Sequence, residues 1–381
     1  MIAWGDLYKV VEAMAPLYFA LVLGYGSVRW WRFFTEEQCG AINTLVVCFS
    51  MPFFTFDFVI RADPFAMNYR VIATDAIAKL LAVLAAAAWA RCAKAKAGAY
   101  SWSITGFSLA SLNNTLVVGV PLLDAMYGKW AQDLIVQIAV VQSIVWFPLL
   151  LLAFELRKAW VVGGVPSFSS ATAANDDGGS TTSDDDRARR VEPVSPEKDG
   201  NVDMDVEAAP PTSGSGRIRL WPMARTVGLK LTRNPNVYAS VLGVAWACIA
   251  YRWRIGMPRI VTGSLQVMSR TGTGMSMFSM GLFMAQQERI VACGAGLAAL
   301  GMALRFVAGP LAALAGAAVL GLRGDVLHFA IIQAALPQAI ASFVFAKEYG
   351  LHADVLSTAV IFGTVVSLPV LIAYYAVLDM V

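Results

Sequence analysis

The sequence predicts an all-α integral membrane protein of ten transmembrane helices, arranged as two inverted repeats of five. Three observations lead there. Of the 381 residues, 58% are hydrophobic and 14% charged, with a mean hydropathy of +0.62, against about 45–50% and about 25% in soluble domains. A water-facing surface needs far more charge than this, so lipid must be much of the solvent. Apolar runs of spanning length fall into two groups of five, separated by one polar insert. Finally, one span in each group carries a polar or helix-breaking cluster at mid-length.

The first group, approximately 7–28, 39–60, 71–92, 101–126 and 134–156, makes 1–158 the first repeat. Its opening run has no basic flank and no small-residue cleavage site, so it reads as a retained span that also serves as the targeting signal. The second group, approximately 237–251, 260–285, 290–322, 326–348 and 355–378, makes 220–381 the second repeat. The eighth run is overlong and holds Arg305 and Pro310; one tilted or kinked helix with an interfacial extension is expected. An odd number of spans before a second copy turns that copy upside down. Echoes at corresponding positions support duplication. AMYG at 125–128 matches KEYG at 347–350, and VLG at 22–24 matches VLG at 241–243; Arg-Trp pairs follow the latter at 29–30 and 252–253.

The connection 159–219 reads as a short disordered loop. Residues 161–216 hold eleven acids and four bases, a net of −7, which leaves +10 on the remainder. Runs such as SSATAANDDGGSTTSDDD have too little apolar surface to offset the entropy of ordering. A phosphorylated regulatory loop and a passive solvated linker are both open. Arg157, Lys158, Arg217, Arg219, Arg225, Lys230 and Arg233 flank it, so the positive-inside rule puts it on the cytoplasmic side. The bases form no stripe with interleaved aromatics, and nucleic acid is not an expected partner.

Interrupted spans in corresponding positions of two halves point to a transport site. Span four contains SLNNTLVVGVP and span nine QAALPQAIASFVF. Pro337 removes a donor and clashes with the preceding turn. Asn113 and Asn114 can break span four by bonding their own backbone while offering amides to a ligand. Each second half-helix then begins with free N–H groups and a positive dipole end, able to hold an anion. Asp75 and Lys79, four residues apart, share a face of span three; they are a support pair for the broken helices, a proton carrier, or a structural pair near the membrane face. Arg270 and Arg305 either bury or snorkel. Gln142 and Gln338 are donors at mid-depth, as interhelical glue or ligand contacts. The Met-rich run 268–284 reads as packing. Five scattered cysteines and two histidines suggest neither a disulfide framework nor a metal site, and the absence of nucleotide-binding and catalytic motifs argues against an enzyme, a cofactor or an ATP-driven pump. Passive or gradient-driven movement of a small solute remains.

The blocks QAALPQAIASFVFAKEYGLHADVLSTAVIFG, NPNVYASVLGVAWACIAYRW, MPRIVTGSLQVMSRTGTGMSMFSMGLFMA and LRFVAGPLAA in the second half, with MIAWGDLYKVVEAMAPLYFALVLGYGSVRWW, NTLVVGVPLL and VVQSIVWFPLLLLAFE in the first, resemble the plant PIN-FORMED auxin carriers. The short insert resembles the endomembrane subgroup. The resemblance implies a fold similar to bile-acid and sodium/proton transporters, with crossed broken helices at spans four and nine. It further implies a homodimer in the endoplasmic reticulum membrane, moving the indole-3-acetate anion by an elevator motion. By position, Asn114 and Pro337 would mark the crossing and hold the carboxylate. Asn113, Gln142, Met51, Thr55, Phe147 and Gln338 would complete the substrate site, and Asp75 and Lys79 would be its support. Two positions depart from the family. Asn113 stands where a proline is common, implying a less sharp break, and Phe147 stands where a tyrosine would offer a hydroxyl. A sodium- or proton-coupled organic-anion symporter, or a receptor or scaffold acting through its loop, are the alternatives.

Overall fold

The computed structural model describes residues 4–92, 98–163, 225, 228–229, 235–287, 289, 291 and 293–380. All belong to the unit formed by Met1–Gly163 and Leu220–Val381, apart from which the chain has a second unit, Gly164–Arg219. The insert expected to be disordered therefore lies outside the described residues, except that its first positions continue a helix to Gly163. Among the described residues all regular structure is helical, apart from one isolated β-bridge.

The helices are α1 (Trp4–Arg29), α2 (Glu36–Val59), α3 (Tyr69–Cys92), α4 (Gly98–Ser111), α5 (Thr115–Tyr127), α6 (Lys129–Lys158), α7 (Pro235–Trp253), α8 (Arg259–Gln286), α9 (Ala295–Val319), α10 (Asp325–Ala334), α11 (Ile340–Glu348) and α12 (Ala353–Asp379). Six of them, α1, α2, α3, α6, α9 and α12, are by length and composition alone sufficient to cross a membrane. The overlong eighth run shortens at both ends. Gly294 at φ 87° precedes α9 and Gly321 at φ 65° follows it, left-handed positions that glycine adopts at no cost. Among the described residues, a turn at 320–321 stands where the expected interfacial extension would continue α9.

Local sequence sets the other boundaries. Thr35 and Gln38 form a reciprocal capping box at the start of α2. The two YG echoes are helix stops: Gly128 at φ 81° ends α5, and Gly350 at φ 60° ends α11. At the latter, Gly350 N–H donates to the Lys347 carbonyl at 3.3 Å and Leu351 N–H to the Ala346 carbonyl at 2.8 Å, a Schellman closure sealed by the buried Leu351.

A second local rule recurs. Wider π turns occupy Val46–Ser50, Thr115–Gly119, Gln142–Trp146 and Leu304–Ala308, and in every case a proline follows two residues on: Pro52, Pro121, Pro148 and Pro310. Proline cannot donate to the ladder and its ring collides with the carbonyl four residues back. One extra residue in the preceding turn moves that carbonyl aside.

Two groups of helices result. In one, α8 packs on α1 and α2, and α2 on α7; in the other, α3 packs on α4 and α9, α9 on α10 and α12, α5 on α6, and α11 on α12. The groups touch chiefly where α1 meets α5 and α7 meets α6. The α1–α8 contact is backbone against backbone. A Cβ on Gly281 would sit 2.1 Å from the Leu21 carbonyl oxygen, and one on Gly24 would sit 2.1 Å from that of Phe278. Of the five methionines of α8, Met277, Met280 and Met284 are buried, consistent with packing. Gly281→Ala is expected to force the helices apart and to destabilise the protein by about 1–3 kcal/mol. Gly274→Ala, on the same helix with open space at its Cβ, is expected to be neutral or better. Thermal unfolding in detergent compares them.

Candidate functional site at the helix crossing

Two broken helices meet at their breaks. α4 ends at Ser111 and α5 begins at Thr115; α10 ends at Ala334 and α11 begins at Ile340. The intervening segments meet antiparallel through the isolated Asn113–Gln338 bridge. Asn114 N–H donates to the Pro337 carbonyl at 2.8 Å, and Ala339 N–H to the Leu112 carbonyl at 3.0 Å. Pro337 has no N–H to satisfy and contributes only its carbonyl, so the pairing leaves none of its polar groups stranded. The break at Asn113 is complete without a proline, contrary to the softer break implied by the family departure. Asn113 is held from three sides, through its backbone by one neighbour and through its side-chain amide by two.

Arg305 is one of these. It is 0% exposed and lies in the π turn of α9. Its Nε donates to the Leu336 carbonyl at 2.6 Å, Nη1 to those of Leu109 and Leu112 at 3.2 and 3.3 Å, and Nη2 to that of Ala334 at 3.0 Å. Nη2 also donates to Asn113 Oδ1. One guanidinium thus caps the carbonyl ends of both α4 and α10, where unpaired C=O groups and the negative helix-dipole ends converge. The starts of α5 and α11, with the opposite polarity, face the same crossing. Between burial and snorkelling, Arg305 buries while Arg270 is exposed on α8.

The other two sides are glutamines tied to the α3 pair. Lys79 and Asp75 form a buried ion pair at 2.7 Å, with side chains 2% and 5% exposed. The pair is thus withdrawn from the protein surface. Lys79 Nζ also donates to Gln142 Oε1 at 3.3 Å, and Gln333 Nε2 to Asp75 Oδ1 at 3.4 Å. Gln142 exchanges both hydrogen bonds with the Asn113 backbone, Nε2 donating to its carbonyl at 2.7 Å and Oε1 accepting from its N–H at 3.3 Å. Asn113 Nδ2 donates to the Gln333 carbonyl at 2.6 Å and to its Oε1 at 3.0 Å. The result is a closed lattice running from α3 through α6 and α10 to the break. Lys79→Leu would leave Asp75 a buried carboxylate without its cation, an expected cost of about 3–5 kcal/mol, read as a lower unfolding temperature and reduced yield of monodisperse protein.

The residues predicted from sequence therefore separate by what they are free to do. Asn113 and Gln142 spend their polar atoms on the lattice. Asn114 Nδ2, Gln338 Oε1 and Trp146 Nε1 are buried without a hydrogen-bond partner, although Gln338 Nε2 donates to the Ser108 carbonyl at 3.0 Å and to Ser342 Oγ at 2.6 Å. Phe147 is half-buried and meets Phe345 of α11 edge-on at 6.0 Å. Met51 and Thr55 make their polar contacts elsewhere, Met51 Sδ accepting from Ser276 Oγ and Thr55 Oγ1 donating to Asn236 Oδ1 at 2.8 Å; these tie α2 to α8 and α7. A cavity of about 670 Å³ opens between α2, α8 and α11, lined by Asn43, Ser279, Gln286, Phe343 and Lys347 among others. Gln333 and Trp146 were not singled out in the sequence. Gln333, four residues before Pro337 in a buried apolar run, carried the signal that finds it.

An α-helical, multi-pass membrane protein built around two interrupted helices is a transport protein by class. A family described as "Membrane transport protein" matches residues 9–375. Over 385 residues the chain is 75% identical to "Probable auxin efflux carrier component 5c" of Oryza sativa subsp. japonica, with all of both chains covered. It is 51% identical over 381 residues to "Auxin efflux carrier component 5" of Arabidopsis thaliana, again covering all of both, and 38% identical to "Auxin efflux carrier component 8" of the same plant. The chain belongs to the auxin efflux carrier family, in its short-loop form, as the sequence resemblance implies. It is a carrier by family, not an enzyme.

Proposed function

We propose that this protein is a secondary carrier moving the indole-3-acetate anion across an internal membrane, with the carboxylate held at the crossing. The observation that carries the reading is the asymmetry of charge there. Arg305 neutralises the carbonyl ends of α4 and α10, while the N-terminal ends of α5 and α11 keep their free N–H groups and positive polarity. Asn114 Nδ2, buried and unpartnered, is the side-chain donor for the carboxylate; Pro337 and Gln338 shape the opposite strand, and Phe147 supplies an apolar edge. Asn113, Gln142, Asp75 and Lys79 hold the crossing in shape. Met51 and Thr55 face the pocket from α2 once substrate is bound.

The proposed architecture is ten spans in two inverted repeats of five, α4 with α5 and α10 with α11 each making one span. The two helix groups suggest an elevator, in which the body carrying the crossing slides against α1, α2, α7 and α8, and the cavity between α2, α8 and α11 is the way in. We place the insert in the cytoplasm, the protein in the endoplasmic reticulum membrane, and the carrier as a homodimer. The relatives' names support the substrate. Radiolabelled indole-3-acetate uptake into proteoliposomes tests it: flux above empty liposomes, saturable by unlabelled substrate, is expected, and folded protein giving none overturns the reading. The buried Asp75–Lys79 pair, joined to the crossing through Gln142 and Gln333, favours a second reading, coupling to sodium or protons. Flux that requires an imposed ion gradient would select it.

A further inference from the structure

On the flank of α3, α4 and α9 runs a groove of about 600 Å³, lined by Trp89, Trp102, Gly106, Leu109, Leu300 and Ala308 among others. Its wall is hydrocarbon and indole. The hydroxyl in it, Ser103 Oγ, is turned back to donate to the Ala86 and Ala99 carbonyls, both at 2.9 Å. Among the lining side chains the other polar atoms are the indole N–H groups of Trp89 and Trp102. The groove follows α4 from Trp102 to Ala110 and α9 from Leu297 to Ala312, roughly 12 to 22 Å at a rise of about 1.5 Å per residue. One leaflet of hydrocarbon is about 15 Å deep, half of a ~30 Å core.

The mouth has the opposite character. It lies where α3 ends and α4 and α9 begin, between Trp89 and Trp102, residues of the type that sits at headgroup level. Arg91, exposed, follows Trp89. Arg157 is fixed beside Trp102, its Nε donating to Ser101 Oγ at 2.6 Å, and Trp102 stacks on His352 at 4.0 Å. Burial first, and the Arg157 charge second, hold the His352 imidazole below its ordinary value, so the positive charge at the mouth comes from the arginines.

We propose that this groove is a phospholipid site, with one acyl chain lying along Gly106 and Leu109 and the phosphate at the mouth between Arg91 and Arg157. The depth of the groove suits one chain of one leaflet, and the two cations suit the headgroup. The chain would brace the crossing from behind, because the Leu109 carbonyl accepts from Arg305 and Leu304 and Ala308 bound the same π turn. This requires only that the protein lie in a membrane, and stands apart from the identity of the transported solute.

Gly106 supplies the test, since a Cβ there meets nothing within 4 Å and a larger side chain fills the groove without collision. Full-length protein purified in detergent is loaded with phosphatidylserine and examined by native mass spectrometry. Wild type is expected to retain one phospholipid. Gly106→Leu, and independently Ala85→Phe from the α3 wall, are expected to lower retention about tenfold, equivalent to ~1.4 kcal/mol, with unfolding temperatures in lipid-free detergent unchanged. Arg91→Gln combined with Arg157→Gln is expected to weaken retention with the groove intact. Equal retention by both groove-filling variants would mean annular lipid only and overturn the site. Displacement by soluble glycerophosphoserine as effective as by the whole lipid would mean an anion site without a chain, and preferential displacement by a sterol would mean a different occupant; either overturns it too.

Discussion

Arg305→Leu is expected to leave no folded carrier. The substitution keeps the helix propensity of the position and removes a cation from the membrane interior, which by hydropathy alone would be an improvement. Yet it strands the carbonyls of Leu109, Ala334 and Leu336 together with Asn113 Oδ1, all of which accept from the guanidinium, and leaves the Leu112 carbonyl with the Ala339 N–H alone. At about 1–3 kcal/mol for each buried acceptor left unsatisfied, even partial relaxation costs an amount comparable to the ~5–15 kcal/mol by which a folded domain is stable. Arg305→Lys keeps the charge but loses the planar fork that reaches two helix ends at once, and should fall between. Arg270→Leu, exposed on α8, is expected to stay within about 0.5 kcal/mol of wild type. The yield of monodisperse protein and its unfolding temperature in detergent rank the three; a stable Arg305→Leu would show that the crossing is held by its backbone pairing alone.

Asn114→Ala and Asn113→Ala should behave as opposites, although the residues are adjacent and chemically identical. Asn114 Nδ2 has no partner within the protein, so its loss removes a buried unsatisfied donor and should not lower the unfolding temperature. If that amide holds the substrate carboxylate, losing a hydrogen bond to a charged group, worth about 1.5–3 kcal/mol, weakens transport by roughly 10- to 100-fold. Asn113→Ala instead deprives Arg305 and Gln333 of partners and should act on folding first. Measured together, flux and thermal stability separate the two roles. Unchanged flux in Asn114→Ala would remove Asn114 from the site.

Much of this arrangement can be read directly from residue order. Length and hydropathy locate the helices, since a span imposes its own period-free signature of about 20 apolar residues. Pro337 and the Asn113–Asn114 pair mark the breaks because backbone chemistry is local. The YG stops are equally local. What residue order does not contain is which polar side chains find each other across the fold. Asn113 and Asn114 look interchangeable until Arg305, 192 residues away, is seen to claim one of them. Arg305 itself was visible as an arginine in an apolar run, but burial and snorkelling have the same sequence. The four π turns leave no distinct mark in residue order because a proline near a helix start is ordinary; only the hydrogen-bond ladder distinguishes a proline that begins a helix from one accommodated inside it. Met51 and Thr55 show the reverse limit. Family position brings them to the pocket, while their contacts here tie α2 to its own neighbours.

The backbone-to-backbone seam between α1 and α8 has a consequence for how the protein is made. Gly24 and Gly281 meet, yet 257 residues separate them in the chain. At a synthesis rate of about 5–20 residues per second, the first helix waits roughly ten to fifty seconds in the bilayer before its partner leaves the ribosome. Throughout that interval its glycine face has only lipid against it, and any other small-residue face that emerges earlier can occupy it. The half-helices that cross at Asn113 and Gln338 wait almost as long. Assembly is thus ordered from the end of the message, and a nascent chain arrested before α8 should carry an insertion-competent but unassembled α1, open to the membrane's quality-control machinery.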